Sequence, residues 1–301
     1  MTHFAVRTLT LNPSIDVSSE ADEVAPERKI RTCRERIDPG GGGINVARVL
    51  HRMGVEVEAI FLAGGATGKA FDALLDRSGL ERQHIPIGDD TRTSLTIHER
   101  SGSEYRFVPE GPTISTEELD RCFEAIGAAT CDYFVASGSL PPGVPDHFYA
   151  SAAARVRSRD ARFILDTSGP ELKATLDQCG VFLLKASKEE LDRAAAAGLV
   201  ANRCVHLVAL TLGADGALLI DDEGALFLPS MKVKPVNTVG AGDSFLAGMT
   251  FGLSKGMTSS NAFRVAVAAA TAATLSEGTD LAYPPDVERL LAQVPEPQRL
   301  T

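Results

Sequence analysis

Between Gly40 and about Ala282 the chain alternates helix-patterned segments with short apolar runs, and no other feature restricts its fold as much. Helical periodicity falls at 44–53, 67–79, 115–129, 145–158 and 187–197. Apolar runs of strand length fall at 56–62, 132–136, 161–166, 181–184 and 205–210. That order predicts an α/β fold, a mostly parallel sheet with helices on both faces. No repeat or low-complexity tract interrupts it, and Ala194-Ala195-Ala196-Ala197 simply favours helix.

Two segments break the rhythm. Residues 17–37 are polar and mixed, and 91–109 hold Ser94-Leu95-Thr96-Ile97-His98 and Tyr105-Arg106-Phe107-Val108 around Ser101-Gly102, a predicted hairpin. Together they predict a small separate sheet whose exposed face needs a cover. The 301 residues, 44% of them hydrophobic, allow one large domain or two with a sizeable core. A net charge of −10 with no lysine or arginine run argues against nucleic acid as a partner. The five cysteines show no CxxC pairing and no disulfide framework, and the six histidines no metal-ligand spacing. With no apolar leader and no run of 18 apolar residues, the expectation is a reduced, soluble, cytoplasmic protein without membrane contact.

Chemistry concentrates in a few stretches. Thr238-Val239-Gly240-Ala241-Gly242-Asp243-Ser244-Phe245 reads as a glycine turn opening a helix. The first N–H groups of a helix lack internal partners and attract an anion, and glycine lets that backbone approach a phosphate. Asp243 then has two readings: a capping carboxylate, or a base beside a bound phosphate, the arrangement for phosphoryl transfer to an alcohol. Asp38-Pro39-Gly40-Gly41-Gly42-Gly43-Ile44-Asn45 sets four glycines before an amphipathic helix. Asp16 follows the Asn12-Pro13 turn after a strand at 6–11, and faces either a ligand crevice or solvent.

Other stretches read both ways. Ser139, in Ser137-Gly138-Ser139-Leu140-Pro141-Pro142-Gly143, is a turn serine or a phosphate donor. Ser187 and Glu190 form a capping box in sequence, after Lys185 at a strand end. Thr211, Gly213 and Gly216 lie in a strand, glycine turn and return strand, followed by a hairpin at 221–224. Residues 266–275 read as a small-residue core helix, and the proline-containing tail beyond Tyr283 as a last helix with a frayed end. Gly64-Gly65-Ala66-Thr67-Gly68-Lys69-Ala70 is no P-loop, since its glycines are one residue too close and Ala70 replaces the Ser/Thr. Asn45 occupies the last glycine position of a would-be GxGxxG, and no GxSxG is present.

The early glycine run and the late Gly-Ala-Gly-Asp together resemble the two signature regions of the ribokinase-like (PfkB) carbohydrate kinases, over residues 8 to about 279. Within that family GGGGINVAR, LTLNPSID and SGSLPPG are similar to the second-type bacterial 6-phosphofructokinases. Relatives that act on fructose 1-phosphate or tagatose 6-phosphate carry a lysine where Gly42 stands. The resemblance implies a single ribokinase-like domain over 1–301, a three-layer αβα sandwich with a β-sheet lid from 16–37 and 91–109, and a homodimer through that lid. It implies ATP-dependent phosphorylation of fructose 6-phosphate, with a 1-phosphofructokinase or tagatose-6-phosphate kinase as the alternative and a non-catalytic sugar-phosphate sensor as the distant one.

By residue, it implies Asp16, Gly41, Gly42 and Asn45 on the sugar, and Arg92, Lys29 and Ser139 on its phosphate, with Arg31 beside them. Asp243 is then the base, with the N–H groups of Gly240, Ala241 and Gly242 on the transferred phosphoryl group. Lys185, Ser187, Thr211, Gly213 and Gly216 lie along the ATP, and Glu190 holds Mg2+ through water. Ser187 departs from the family's Asn-x-x-Glu. Residues 276–279 fall where the family binds adenine or a monovalent cation such as K+.

Overall fold

Side-chain alternation along the strands decides the layers. On the strand at 131–137, Tyr133 and Val135 join one apolar cluster while Phe134 and Ala136 join another. The computed structural model describes residues 3–276 and 280–300. Its first half runs β1 (Phe4–Thr10), β2 (Ser14–Ala21), β3 (Thr32–Gly40), α1 (Gly42–Arg52), β4 (Val57–Gly64), α2 (Gly65–Asp76), β5 (Glu81–Ile87), β6 (Arg92–Glu99), β7 (Glu104–Phe107), α3 (Thr116–Ala128) and β8 (Cys131–Ser137). There follow α4 (Phe148–Arg157), β9 (Arg162–Asp166), α5 (Gly169–Leu176), β10 (Val181–Ser187), α6 (Arg193–Ala201), β11 (Val205–Thr211), β12 (Ala217–Asp221), β13 (Gly224–Leu228), α7 (Ala241–Ser254), α8 (Ser259–Thr274), α9 (Pro284–Leu291) and β14 (Gln298–Leu300).

Ten strands form the main sheet in the order β14-β13-β12-β11-β10-β9-β8-β1-β4-β5. The seven from β11 to β5 are parallel, and β12, β13 and β14 extend the sheet antiparallel. Ile44, Phe71, Phe245, Phe263 and Leu290 bring α1, α2, α7, α8 and α9 onto one face. Ile126, Phe148, Leu172 and Ala196 bring α3, α4, α5 and α6 onto the other. The result is the three-layer αβα sandwich. A separate four-stranded sheet, β3-β2-β6-β7, is built from the two segments that break the rhythm, with the hairpin of β6 and β7 at its edge. Among the described residues no helix is long and apolar enough to cross a membrane.

Four sequence expectations are corrected. The helix expected over 187–197 starts at Arg193, capped by Asp192, because β10 pairs with β11 as far as Ser187 and holds that serine in the sheet, with a turn at 188–190 before the helix. Glu190 still accepts the Ser187 N–H at 2.7 Å, but the contact closes a turn rather than capping a helix. The tail does not fray: β14 pairs with β13 and covers the sheet edge. Cys179 and Cys204 are joined in a disulfide, because the parallel β10 and β11 bring their preceding loops together across 25 residues. The helix α5 has no counterpart in the sequence reading; its eight residues show too short a period to stand out.

Helix α7 packs on α8 through glycine. A Cβ on Gly252 would lie 2.6 Å from Cα and Cβ of Ala262, and one on Gly248 2.8 Å from the Val265 carbonyl oxygen. Gly252→Ala gains about 1 kcal/mol of helix propensity, yet forces two backbones apart in a filled core, which costs about 1–3 kcal/mol. We expect a net loss in urea unfolding; a variant more stable than the parent would show that the α7–α8 spacing is not set by this contact.

Candidate active site

The order of the parallel strands reverses between β1 and β8, and in open α/β sheets ligands bind outside the carboxyl ends at such a switch point. Two helices begin there, and neither start is capped by a side chain. Gly41, at φ 112°, precedes α1, and Gly240, in the left-handed region at φ 74°, precedes α7. Both are conformations that side chains other than glycine rarely adopt. The free N–H groups of both first turns open into one crevice.

Asp243 is the third residue of α7. Its carboxylate does not cap the helix: Oδ2 accepts the Nδ2–H of Asn45, from the first turn of α1, at 2.8 Å. Burial pushes its pKa up from 3.8 to about 6; Asp166 and Asp16 add to the rise, while the Asn45 donor and Lys185 oppose it. Gly42 seats α1 on the end of β8, where an added Cβ would lie 2.1 Å from Ser137 Oγ. Ser137 Oγ donates to Asp166 Oδ2 at 3.3 Å, and Asp166 Oδ1 accepts from Lys185 Nζ at 3.1 Å. Burial alone would lower Lys185, but Asp166, with Asp243 and Glu190 adding to it, holds the ammonium above its ordinary pKa. The lysine stands next to Gly242, its Nζ 3.3 Å from where a Cβ would be. Carboxylate, ammonium and bare helix start therefore share one recess.

The small sheet supplies the other wall. Asp16 on β2 accepts Ser14 Oγ–H at 2.5 Å and is raised in pKa by burial, with Arg92 pulling it down. Arg92 opens β6 beside Ser14, and its Nη groups donate to the carbonyls of Pro109 and Asn12 at 2.9 and 2.8 Å. Its Nε is buried without a partner among the described residues. Burial lowers the Arg92 pKa and Asp16 raises it. Asn12 also donates weakly to Ser139 Oγ, at 3.4 Å, so Arg92 and Ser139 meet around one asparagine.

Most of the sequence-derived residues converge here. Asp16, Gly41, Gly42, Asn45, Arg92, Ser139, Lys185, Gly240, Ala241, Gly242 and Asp243 line the carboxyl edge, and Ser187, Glu190 and Thr211 extend it along β10 and β11. Thr211 Oγ1 donates to the Ala186 carbonyl, and Gly213 faces open space. Gly216 is held by structure: a Cβ there would meet the Leu228 carbonyl oxygen at 2.1 Å. Lys29 and Arg31 are not brought to Arg92 within one chain. They sit beyond the far end of β2, eight residues of strand or about 25 Å from Ser14. Glu277, Gly278 and Thr279 lie outside the described residues. The sequence reading missed Asn12, Arg48, Ser137 and Asp166. Asp166 had a legible signal, a carboxylate ending the apolar run at 161–166.

Comparison with known proteins shows the family. The sequence profile of the pfkB family carbohydrate kinases matches residues 9–286. The chain is 40% identical to the ATP-dependent 6-phosphofructokinase isozyme 2 of Mycobacterium tuberculosis, over 96% of this chain and 90% of that protein. It is 33% identical to the 1-phosphofructokinase of Bacillus subtilis, over 96% and 98%. Its fold matches phosphofructokinase-2 from Escherichia coli in complex with potassium, with a TM-score of 0.92 at 34% identity over 96% and 99% of the two chains. The same enzyme in complex with fructose-6-phosphate matches with a TM-score of 0.89 at 33% identity, over 97% and 99%.

The raised pKa of Asp243 links the site to stability. The folded value of about 6 lies above the ordinary 3.8, so the folded state is favoured by protonation. That advantage is complete below about pH 3.8 and is lost as pH rises to about 6, above which the ionised carboxylate is a burden. Asp243→Asn cannot ionise and keeps an oxygen for Asn45. At pH 7.5 it should be more stable than the parent by up to about 3 kcal/mol, and the difference should vanish near pH 4. Thermal unfolding at both values reads this; equal stability at pH 7.5 would place the carboxylate in an environment as favourable as water.

Proposed function

The chain belongs to the pfkB family of carbohydrate kinases, and from that premise we propose that it transfers the γ-phosphoryl group of ATP to the 1-hydroxyl of fructose 6-phosphate, giving fructose 1,6-bisphosphate. The observation that carries this reading is Asp243, an uncapping carboxylate with a pKa of about 6, set against the bare start of α7. Such a group accepts the proton of an attacking hydroxyl at neutral pH while the adjacent N–H groups of Gly240, Ala241 and Gly242 receive the charge of the transferring phosphoryl group. Asp16, Asn45 and the backbone of Gly41 and Gly42 orient the sugar. Arg92, with Ser139 beside it, takes the 6-phosphate; its planar fork suits paired phosphate oxygens.

The site fits a magnesium-nucleotide. Among the described residues no group of three or more His, Cys, Asp and Glu side chains could hold a metal, so Mg2+ would take its ligands from nucleotide phosphates and water, with Glu190 reaching it through water. There it would neutralise the phosphate oxygens. Lys185 points to the phosphates, Ser187, Thr211, Gly213 and Gly216 form the ledge, and a K+ ion is a further expected ligand. The small sheet acts as a lid that excludes water during transfer, and the whole chain works as a single kinase domain, in the cytoplasm where ATP is supplied.

A structural detail favours fructose 6-phosphate over the sister substrates. The lysine of 1-phosphofructokinase relatives would replace Gly42, yet Ser137 Oγ already occupies the space of even a first side-chain carbon. The test is ADP release with Mg-ATP across fructose 6-phosphate, fructose 1-phosphate, tagatose 6-phosphate, fructose and ribose. We expect preference for fructose 6-phosphate, a loss of turnover of about 10²–10⁴ in Asp243→Asn, and a 10- to 150-fold rise in KM in Arg92→Ala, corresponding to about 1.5–3 kcal/mol. Arg92→Ala should change fructose phosphorylation little; an equal loss on both sugars would remove Arg92 from the phosphate.

A homodimer through the lid is supported by an apolar row across all four strands of the small sheet. Ile37 pairs with Val17, Val17 with Leu95 and Leu95 with Phe107, and Ile37 and Phe107 are 43% and 54% exposed. A second copy would cover it, and Lys29 enters a substrate site only through such a pairing. Leu95→Glu should yield monomers in sedimentation; an unchanged sedimentation coefficient, or a monomeric parent, rejects the interface.

A further inference from the structure

Arg48 lies one turn beyond Asn45 on α1 and is only 6% exposed. A buried guanidinium is costly unless its donors find partners. Those of Arg48 are the Pro39 carbonyl at 2.9 Å, Asn45 Oδ1 in a long 3.5 Å contact with the same Nη1, and Asp38 Oδ1 at 3.8 Å. Through Asn45 it stands two contacts from Asp243. Through Pro39 it grips the end of β3, next to Gly40, whose Cα is so close under Asp16 that a Cβ would lie 2.0 Å from Oδ2.

We infer that Arg48 is a positioning residue for phosphoryl transfer, fixing the Asn45 amide so that its NH2 group always faces Asp243. The inference rests on the reading of Asp243 as the base. An asparagine amide has two faces, one donating and one accepting. A guanidinium can only donate, so the amide oxygen must face Arg48 and the NH2 group is left for the carboxylate. Without that constraint the amide is free to turn once Asp243 holds the proton, because its oxygen could then accept from the carboxylic acid. Arg48 blocks the turn, since it would set an NH2 group against the guanidinium. Asp243 therefore meets a donor in both protonation states, and a donor favours the anion. This matters because the other groups facing Asp243 are Asp166 and Asp16, which oppose ionisation, and Lys185, which is already engaged by Asp166.

The experiment is the pH dependence of kcat and of kcat/KM for fructose 6-phosphate in the parent, Arg48→Met, Arg48→Lys, Asn45→Ala and the Arg48→Met/Asn45→Ala pair. In the parent the acidic limb should fall near pH 6. In Arg48→Met we expect it to move up by about one unit, with kcat falling more than KM rises. Arg48→Lys, which still donates, should recover most of the shift. In the Asn45→Ala background, Arg48→Met should move the limb no further, the non-additivity expected of groups acting in series. A limb unmoved in Arg48→Met, with activity lost evenly at all pH values, overturns the inference and leaves Arg48 a structural residue. The same holds if Arg48→Met and Asn45→Ala shift it additively. Should Arg48→Met not fold, Asn45→Ala, which keeps the bond to Pro39, reads the same limb, and no shift there is likewise fatal. A parent without an acidic limb would instead defeat the assignment of the base.

Discussion

The hydrogen bond from Asn45 to Asp243 joins residues 198 positions apart, and the site depends on it. It holds the starts of α1 and α7 against each other at the point where the strand order reverses. Each start would be an unsatisfied helix end in isolation. Side by side over the carboxyl ends of β1 and β8, they make a recess lined with N–H groups, into which one carboxylate is set. Glycine makes the approach possible at both ends, through close contact at Gly42 and left-handed backbone at Gly240.

The charges of the crevice are arranged at the expense of stability. Asp16, Asp166 and Asp243 face one another, and burial raises both Asp16 and Asp243. Lys185 balances Asp166, and Arg92 stands across from Asp16 with an Nε that has no partner among the described residues. A core built only for stability would keep fewer of these groups. Perturbed, recessed and partly unpaired groups gathered in one place are what a site that moves protons and binds anions requires. The two sheets divide the labour: the main sheet carries Asp166 and Lys185, and the small sheet carries Asp16 on β2 and Arg92 at the start of the neighbouring β6.

Much of this was legible along the chain because local patterns carry it. The period of the apolar residues marks helices and strands, and the glycine runs mark the two helix starts. What escaped is what depends on pairing. Ser187 and Glu190 read as a helix cap, but β11 holds Ser187 in the sheet and Glu190 falls in the turn after it, so tertiary pairing overrode a local signal. The strand β14 has three residues and exists only because β13 offers an edge. Cys179 and Cys204 show no spacing motif; adjacent parallel strands bring their loops together. Arg48 reads as one more polar residue of an amphipathic helix, and only its buried contacts give it a place in the site.

The sequence by itself determined the α/β alternation, the two glycine-led helix starts and Asp243 as the carboxylate beside one of them, since each follows from residues within a turn or a strand of one another. Only the tertiary structure decided how that carboxylate is used. It took the Asp243 side chain away from its own helix and gave it to Asn45, raised its pKa by burying it, with Asp166 and Asp16 adding to the rise, and left Lys29 at the far end of the small sheet. Desolvation and charge–charge coupling act through space between groups far apart in the chain, so no local pattern can record them.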